Sequence, residues 1–192
     1  MRDGGVFICP VPSDFGMMDE MPGNFSRLAI LKGIAGSHEE GGVMIKIFKL
    51  LSPERVRIIQ TKNKTDALAE MCRMLESAES IKDASELERA VFERERIMST
   101  SIGLGIAIPH VRLKSVEDMT MAVGVIREGI DYEAFDDLPV NIIIMIAAPD
   151  GSHREYLSVL ARLALLLKNA SIRNAILNAA DSGEIYELFR NH

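Results

Sequence analysis

Between positions 140 and 147 the chain is apolar at every residue except Asn141. The run does not alternate, so neither of its faces is built to meet water. Such a stretch fits the central strand of a sheet that helices cover on both sides. The rest of the fold must supply those helices, and with 47% hydrophobic residues the 192-residue chain has the apolar material for them.

The preceding segments alternate in the required way. Residues 56–59 suit a short strand. Residues 63–78 read as a helix, with Leu68, Met71, Cys72 and Leu75 on one stripe. Asp83 or Ser85 can cap a second helix with Leu87, Ala90, Val91 and Ile97 inward. Residues 99–105 are small and hydroxyl-rich and read as a loop, and residues 106–108 as a strand ending in Pro109 and His110. Residues 119–126 alternate Met119, Met121, Val123 and Val125 with smaller side chains, a strand pattern. Beyond the central run, Ser152 can cap a helix reaching Lys168, and helices over 172–180 and 184–190 follow. The order predicts an α/β fold: a single domain over residues 44–192 with a mixed β-sheet flanked by helices on both faces.

Residues 1–43 differ. They hold eight of the fourteen glycines and three of the seven prolines, with no long periodic segment, and are expected to be a poorly ordered extension. Purine-rich codons for Glu39, Glu40, Gly41 and Gly42 would suit a bacterial ribosome-binding site. The expectation is therefore that Met44 is the native start and that residues 1–43 are not native.

Composition removes several function classes. A formal charge of −6 argues against nucleic-acid binding, which needs cations to neutralise phosphates. Two cysteines, Cys9 and Cys72, with no Cys/His cluster exclude a disulfide scaffold and a structural zinc site. No apolar run is long enough for a membrane span, and no signal-peptide pattern opens the chain, so a cytoplasmic protein is expected.

Of four histidines, His38 and His192 sit in the extension and at the last position. His110 ends an apolar strand after Pro109. It follows Ser99, Thr100, Gly103 and Gly105, whose hydroxyls and backbone can aim donors at an anion. By itself it reads equally well as a buried structural histidine. His153 stands near a helix start, where free N–H groups favour anions, but by itself is better explained as an exposed first-turn residue. Arg94 lies among Glu93, Glu95 and Arg96, a pattern usual for a solvated face. Periodicity leaves open whether Arg94 or Arg96 points inward.

Together these residues carry more weight than singly. Glu93-Arg94-Glu95, Ser99-Thr100, Gly103, Gly105 and Ile106-Ala107-Ile108-Pro109-His110 resemble the phosphoacceptor region of the fructose/mannitol-type (type 2) EIIA domain. That domain belongs to the bacterial phosphoenolpyruvate:sugar phosphotransferase system. The resemblance continues through Ala134, Asp136, Pro139-Val140 and Leu157, Leu160-Ala161. It implies that His110 accepts a phosphoryl group from a phospho-HPr-like donor and passes it to a cysteine of an EIIB-like acceptor. It also implies that Arg94, rather than Arg96, is the active-site arginine. The phosphoryl group rides covalently on His110, so no cofactor and no metal are expected. Phosphoryl transfer needs positioning and charge stabilisation, which a guanidinium and the backbone of residues 103–105 would supply.

Three positions depart from the family pattern. Val111 replaces a glycine and is expected to narrow access, Asp137 stands where glycine is usual, and Tyr156 takes the slot of a second histidine. His153, three residues earlier on the same helix, is expected to face the site instead. Ile106, Ile108, Val111 and Leu113 are expected to make the site surface apolar. With no EIIB or EIIC segment evident, the resemblance leans toward the nitrogen-regulatory EIIA subgroup over a sugar carrier that docks to a membrane permease. A binding module that keeps the fold without carrying phosphate is the alternative, and a metal-dependent hydrolase a remote third.

Overall fold

A computed structural model describes residues 46–191. The expectations for residues 1–43, for Met44 as the start, and for His38 and His192 lie outside the described residues.

Two short 3₁₀ turns, Ile47–Leu50 and Pro53–Arg55, lead into β1 (Val56–Ile58). Helix α1 (Lys64–Glu76) follows, and the Asn63 side chain accepts the Asp66 N–H as its cap. Helix α2 (Ala84–Ile97) is capped by Asp83, not Ser85. Then come β2 (Ser101–Gly103), β3 (Ile106–Ala107), β4 (His110–Leu113), β5 (Thr120–Ile130) and β6 (Val140–Pro149). Helices α3 (His153–Lys168), α4 (Ala170–Asn178) and α5 (Ser182–Arg190) complete the described chain. Ser152 occupies the cap position of α3, but its hydroxyl donates to the Pro149 carbonyl at 2.7 Å rather than capping the helix.

The apolar run forms β6, the strand on which the mixed sheet is built. β5 runs antiparallel to it, with Met121 opposite Ile146, and β1 lies parallel to β5 on the outer side. On its other edge β6 carries β3 and β4 in succession, both parallel: Ile106 pairs with Ile142, and His110 with Ile146. β2 returns antiparallel along β3.

The two faces of β6 enter two separate cores. Ile143, Met145 and Ala147 pack toward Leu68, Met71 and Leu75 of α1 and Leu87 and Val91 of α2. Ile142, Ile144 and Ile146 pack toward Tyr156, Val159 and Leu163 of α3 and toward Ile185 and Phe189 of α5. This is the period-two division that a strand imposes. Gly124 of β5 makes the first core close: a Cβ there would lie 2.5 Å from Ile59 Cδ1 and 2.6 Å from Met71 Sδ, so α1 packs directly onto bare backbone.

Three local expectations are corrected. Residues 99–105 are not an open loop but β2 and a tight turn in which Gly103, Leu104 and Gly105 all have positive φ. The strand expected to end at His110 instead pauses at Ile108 and Pro109 and resumes with His110 as the first residue of β4. Pro109 has no N–H to give the ladder, although its carbonyl still accepts from Ile146 at 3.0 Å. Ile97 is 58% exposed rather than inward: it is the last residue of α2, beyond Glu95, where the buried stripe ends.

Candidate functional site

The pause between β3 and β4 positions His110. The Ile108 N–H donates to the Thr100 carbonyl at 3.1 Å, and the Ile108 carbonyl lies 2.6 Å from His110 Nδ1. A carbonyl can only accept, so Nδ1 carries the proton and Nε2 keeps its lone pair. The Tyr156 ring packs at 5.8 Å between centroids, tilted by 60°. Burial pushes the His110 pKa below the ordinary imidazole value. The bond to Ile108 works the other way, the Arg94 charge lowers it further, and the Glu95 charge raises it. The net result is an imidazole held neutral.

Arg94 is on the last turn of α2, and its Nη1 donates to the Met98 carbonyl at 2.9 Å. The guanidinium thus folds back over the helix end, near enough to His110 to be felt there. Arg96 is exposed.

The expected donors find an anion, but an internal one. The Thr100 N–H and hydroxyl both donate to the Glu95 carboxylate, at 3.0 and 2.6 Å. Glu95 is 4% exposed and pairs with Lys64 Nζ at 3.1 Å. Lys64 also bonds Glu133 at 2.8 Å and sits 4.7 Å over the Tyr132 ring. Burial works against its ammonium, yet the bonds to Glu133 and Glu95 leave its pKa raised. The Ser99 hydroxyl donates to the Tyr132 carbonyl at 3.1 Å. These hydrogen bonds anchor the strand that holds Ile108. Glu95, Lys64 and Tyr132 are the positions that sequence reasoning missed. A signal existed for Glu95, which follows Leu87 and Val91 at four-residue spacing on the buried stripe.

The Gly103–Gly105 turn is elsewhere. The Gly105 carbonyl accepts from Asn141 and Ile142 at the start of β6, whereas His110 pairs with Ile146, four residues or about 13 Å along the strand. The Gly103 N–H donates to Ser101 Oγ at 3.2 Å and the Leu104 N–H to Asp136 Oδ2 at 2.9 Å. Gly103 and Gly105 are therefore structural, and the expectation that they bind a phosphoryl group is withdrawn.

The expected apolar rim is corrected as well. Ile106, Ile108, Val111 and Leu113 are all buried, so Val111 points into the core between the sheet and α1–α2 and does not narrow access to His110. The exposed apolar side chains near these residues in sequence are Ile97 and Met98, after Arg94, and Leu157, after Tyr156. His153 meets Arg112, its Nδ1 lying 2.7 Å from Arg112 Nη1. Among the described residues no helix is long and apolar enough to cross a membrane.

The family model for the phosphoenolpyruvate-dependent sugar phosphotransferase system, EIIA 2, matches residues 49–192. The chain is 35% identical over 149 residues to the fructose-specific EIIABC component of Bacillus subtilis, covering 77% of this chain and 24% of that relative. It is 31% identical over 147 residues to the nitrogen regulatory protein of Bradyrhizobium diazoefficiens, covering 74% of this chain and 93% of that protein. The crystal structure of nitrogen regulatory protein IIA-Ntr from Neisseria meningitidis superposes with a TM-score of 0.70 at 28% identity, over 74% of this chain and 98% of that one. The mannitol IIA of Escherichia coli shares the fold, with a TM-score of 0.62 at 23% identity over 72% of this chain and 98% of that one. The fold is common ground with these proteins, and the match of the family model over most of the described residues shows that the chain belongs to the EIIA 2 family of the phosphoenolpyruvate-dependent sugar phosphotransferase system.

Proposed function

We propose that His110 Nε2 accepts a phosphoryl group from a phospho-HPr-like donor, with Arg94 stabilising the charge in flight. The carrying observation is the Nδ1–H bond to the Ile108 carbonyl at 2.6 Å. It leaves Nε2 unprotonated, so the new N–P bond forms as the donor's N–P bond breaks, and no proton has to leave the ring. The donor histidine nitrogen takes back its electron pair. The depressed His110 pKa keeps the imidazole nucleophilic at neutral pH.

The phosphorylated domain then hands the group to an EIIB-like cysteine in the cytoplasm, or uses it as a binding switch toward a regulatory target. The regulatory use is favoured by a similarity that extends over 93% of a nitrogen regulatory relative. Exposed Ile97, Met98 and Leu157 supply the apolar contact that a transient partner needs. The test is incubation with phosphoenolpyruvate, enzyme I and HPr. Acid-labile, base-stable label that His110→Ala abolishes supports the carrier. A parental protein that takes no label overturns it in favour of a non-phosphorylated binding module.

A further inference from the structure

Arg112 stands two residues from His110 on β4, and a strand sends alternate side chains to one face. Val111 and Leu113 are buried on the side of α1 and α2. His110 and Arg112 therefore share the opposite side, toward α3. There the Tyr156 ring serves both, 5.8 Å from the imidazole centroid and 5.7 Å from the guanidinium carbon.

The partners of Arg112 are unusual for an arginine. Its Nη1 is 2.7 Å from His153 Nδ1. A guanidinium only donates, so Nδ1 is the acceptor in this bond. Among the described residues no carboxylate forms an ion pair with Arg112. A cation is thus held beside the acceptor histidine by an aromatic face and one neutral lone pair.

A phosphoryl group on His110 would present three strong acceptor oxygens and close to two negative charges. One planar fork satisfies two oxygens at most. A phosphoryl group adds charge–charge attraction and a second parallel N–H···O bond, neither of which a neutral imidazole lone pair offers a guanidinium. Exchange of His153 Nδ1 for a phosphoryl oxygen is therefore downhill for Arg112.

We propose that Arg112 is a second phosphoryl-binding guanidinium, parked on His153 and Tyr156 until His110 is loaded, and that it sets the lifetime of the phosphorylated state. This rests on the carrier function proposed above. His153 is then the holder of Arg112 rather than a ligand of the phosphoryl group.

The test uses the full chain, phosphorylated on His110, with Arg112→Gln, Arg112→Lys and His153→Ala. The expected result is an about tenfold shorter lifetime of the label in Arg112→Gln, the loss of one charged hydrogen bond. Arg112→Lys should recover part of it, and His153→Ala should lengthen it by removing the competing acceptor. The side-chain Nε resonance of Arg112 should shift on phosphorylation. A parental lifetime in Arg112→Gln, or an Arg112 resonance that does not move, overturns the proposal. Loss in His153→Ala as fast as in Arg112→Gln overturns the exchange of partners. Should the parental protein take no label, the carrier reading fails separately. Titration with inorganic phosphate then decides for Arg112: a shift of its Nε upholds the contact, and no shift removes it.

Discussion

Lys64 of α1 and Glu95 of α2 form an ion pair at 3.1 Å whose side chains are 17% and 2% exposed. The Glu95 carboxylate also takes both donors of Thr100, and the Thr100 carbonyl takes the N–H of Ile108, whose own carbonyl holds His110. A buried charge thus stands three links from Nδ1 of the acceptor histidine. Removing one partner of such a pair leaves the other uncompensated. Lys64→Met should cost about 3 kcal/mol of stability by urea unfolding, and Lys64→Met combined with Glu95→Gln should cost less than Lys64→Met alone. A loss under about 1 kcal/mol in Lys64→Met would place the pair among surface ion pairs.

Arg94 should act on both the rate and the acidity of His110. Its charge disfavours the imidazolium, so Arg94→Ala should raise the His110 pKa, read by NMR titration of the ring. Phosphoryl acceptance should slow about a hundredfold, the scale for one lost electrostatic donor. Arg94→Lys should fall between, since a point charge lacks the planar fork. A parental rate in Arg94→Ala would remove Arg94 from the site.

The pH dependence follows from the sign of the His110 shift. Burial depresses its folded pKa below the ordinary value of about 6.5. Acceptance should therefore hold its rate from pH 7 through about 6.5 and decline only at lower pH. Stability follows the same sense. As pH falls, the unfolded chain binds a proton at His110 before the folded protein does, so the contribution present above the unfolded pKa is lost toward the folded one. His110→Gln should flatten that part of the stability–pH curve, as measured by thermal unfolding across pH 5 to 8.

Gly103 separates the turn from the chemistry. Its φ is +80°, and a Cβ would lie 2.9 Å from Phe135 Cζ and 3.0 Å from Asp136 Oδ2. Gly103→Ala should cost roughly 1–3 kcal/mol of stability. Below its lowered melting temperature it should still accept phosphoryl at the parental rate. A rate loss on the scale of Arg94→Ala would return the turn to the site.

Much of the fold was legible because local rules suffice for it. The apolar run of β6, the helix starts near Asn63 and at Asp83 or Ser85, and the apolar spacing in α1 and α2 each depend on residues a turn or less apart. The short pieces were not legible. β2 and β4 hold three and four residues, too few to show a period, and a proline between β3 and β4 disguised one interrupted edge as a strand end.

The sequence by itself determined the α/β order, the family string from Arg94 to His110, and the exclusion of a disulfide scaffold. Only the tertiary structure decided which charges are buried and which groups meet. Glu93, Arg94, Glu95 and Arg96 look alike as a charge run, yet Glu95 is buried because Lys64 and Thr100 reach it, and Arg94 is left at the helix end, where its charge acts on His110. Tyr156 comes to His110 and Arg112 through the packing of α3 on the sheet. Helical and strand periods select a face, but a polar group can be buried only where distant elements supply its partners, and those contacts are long-range.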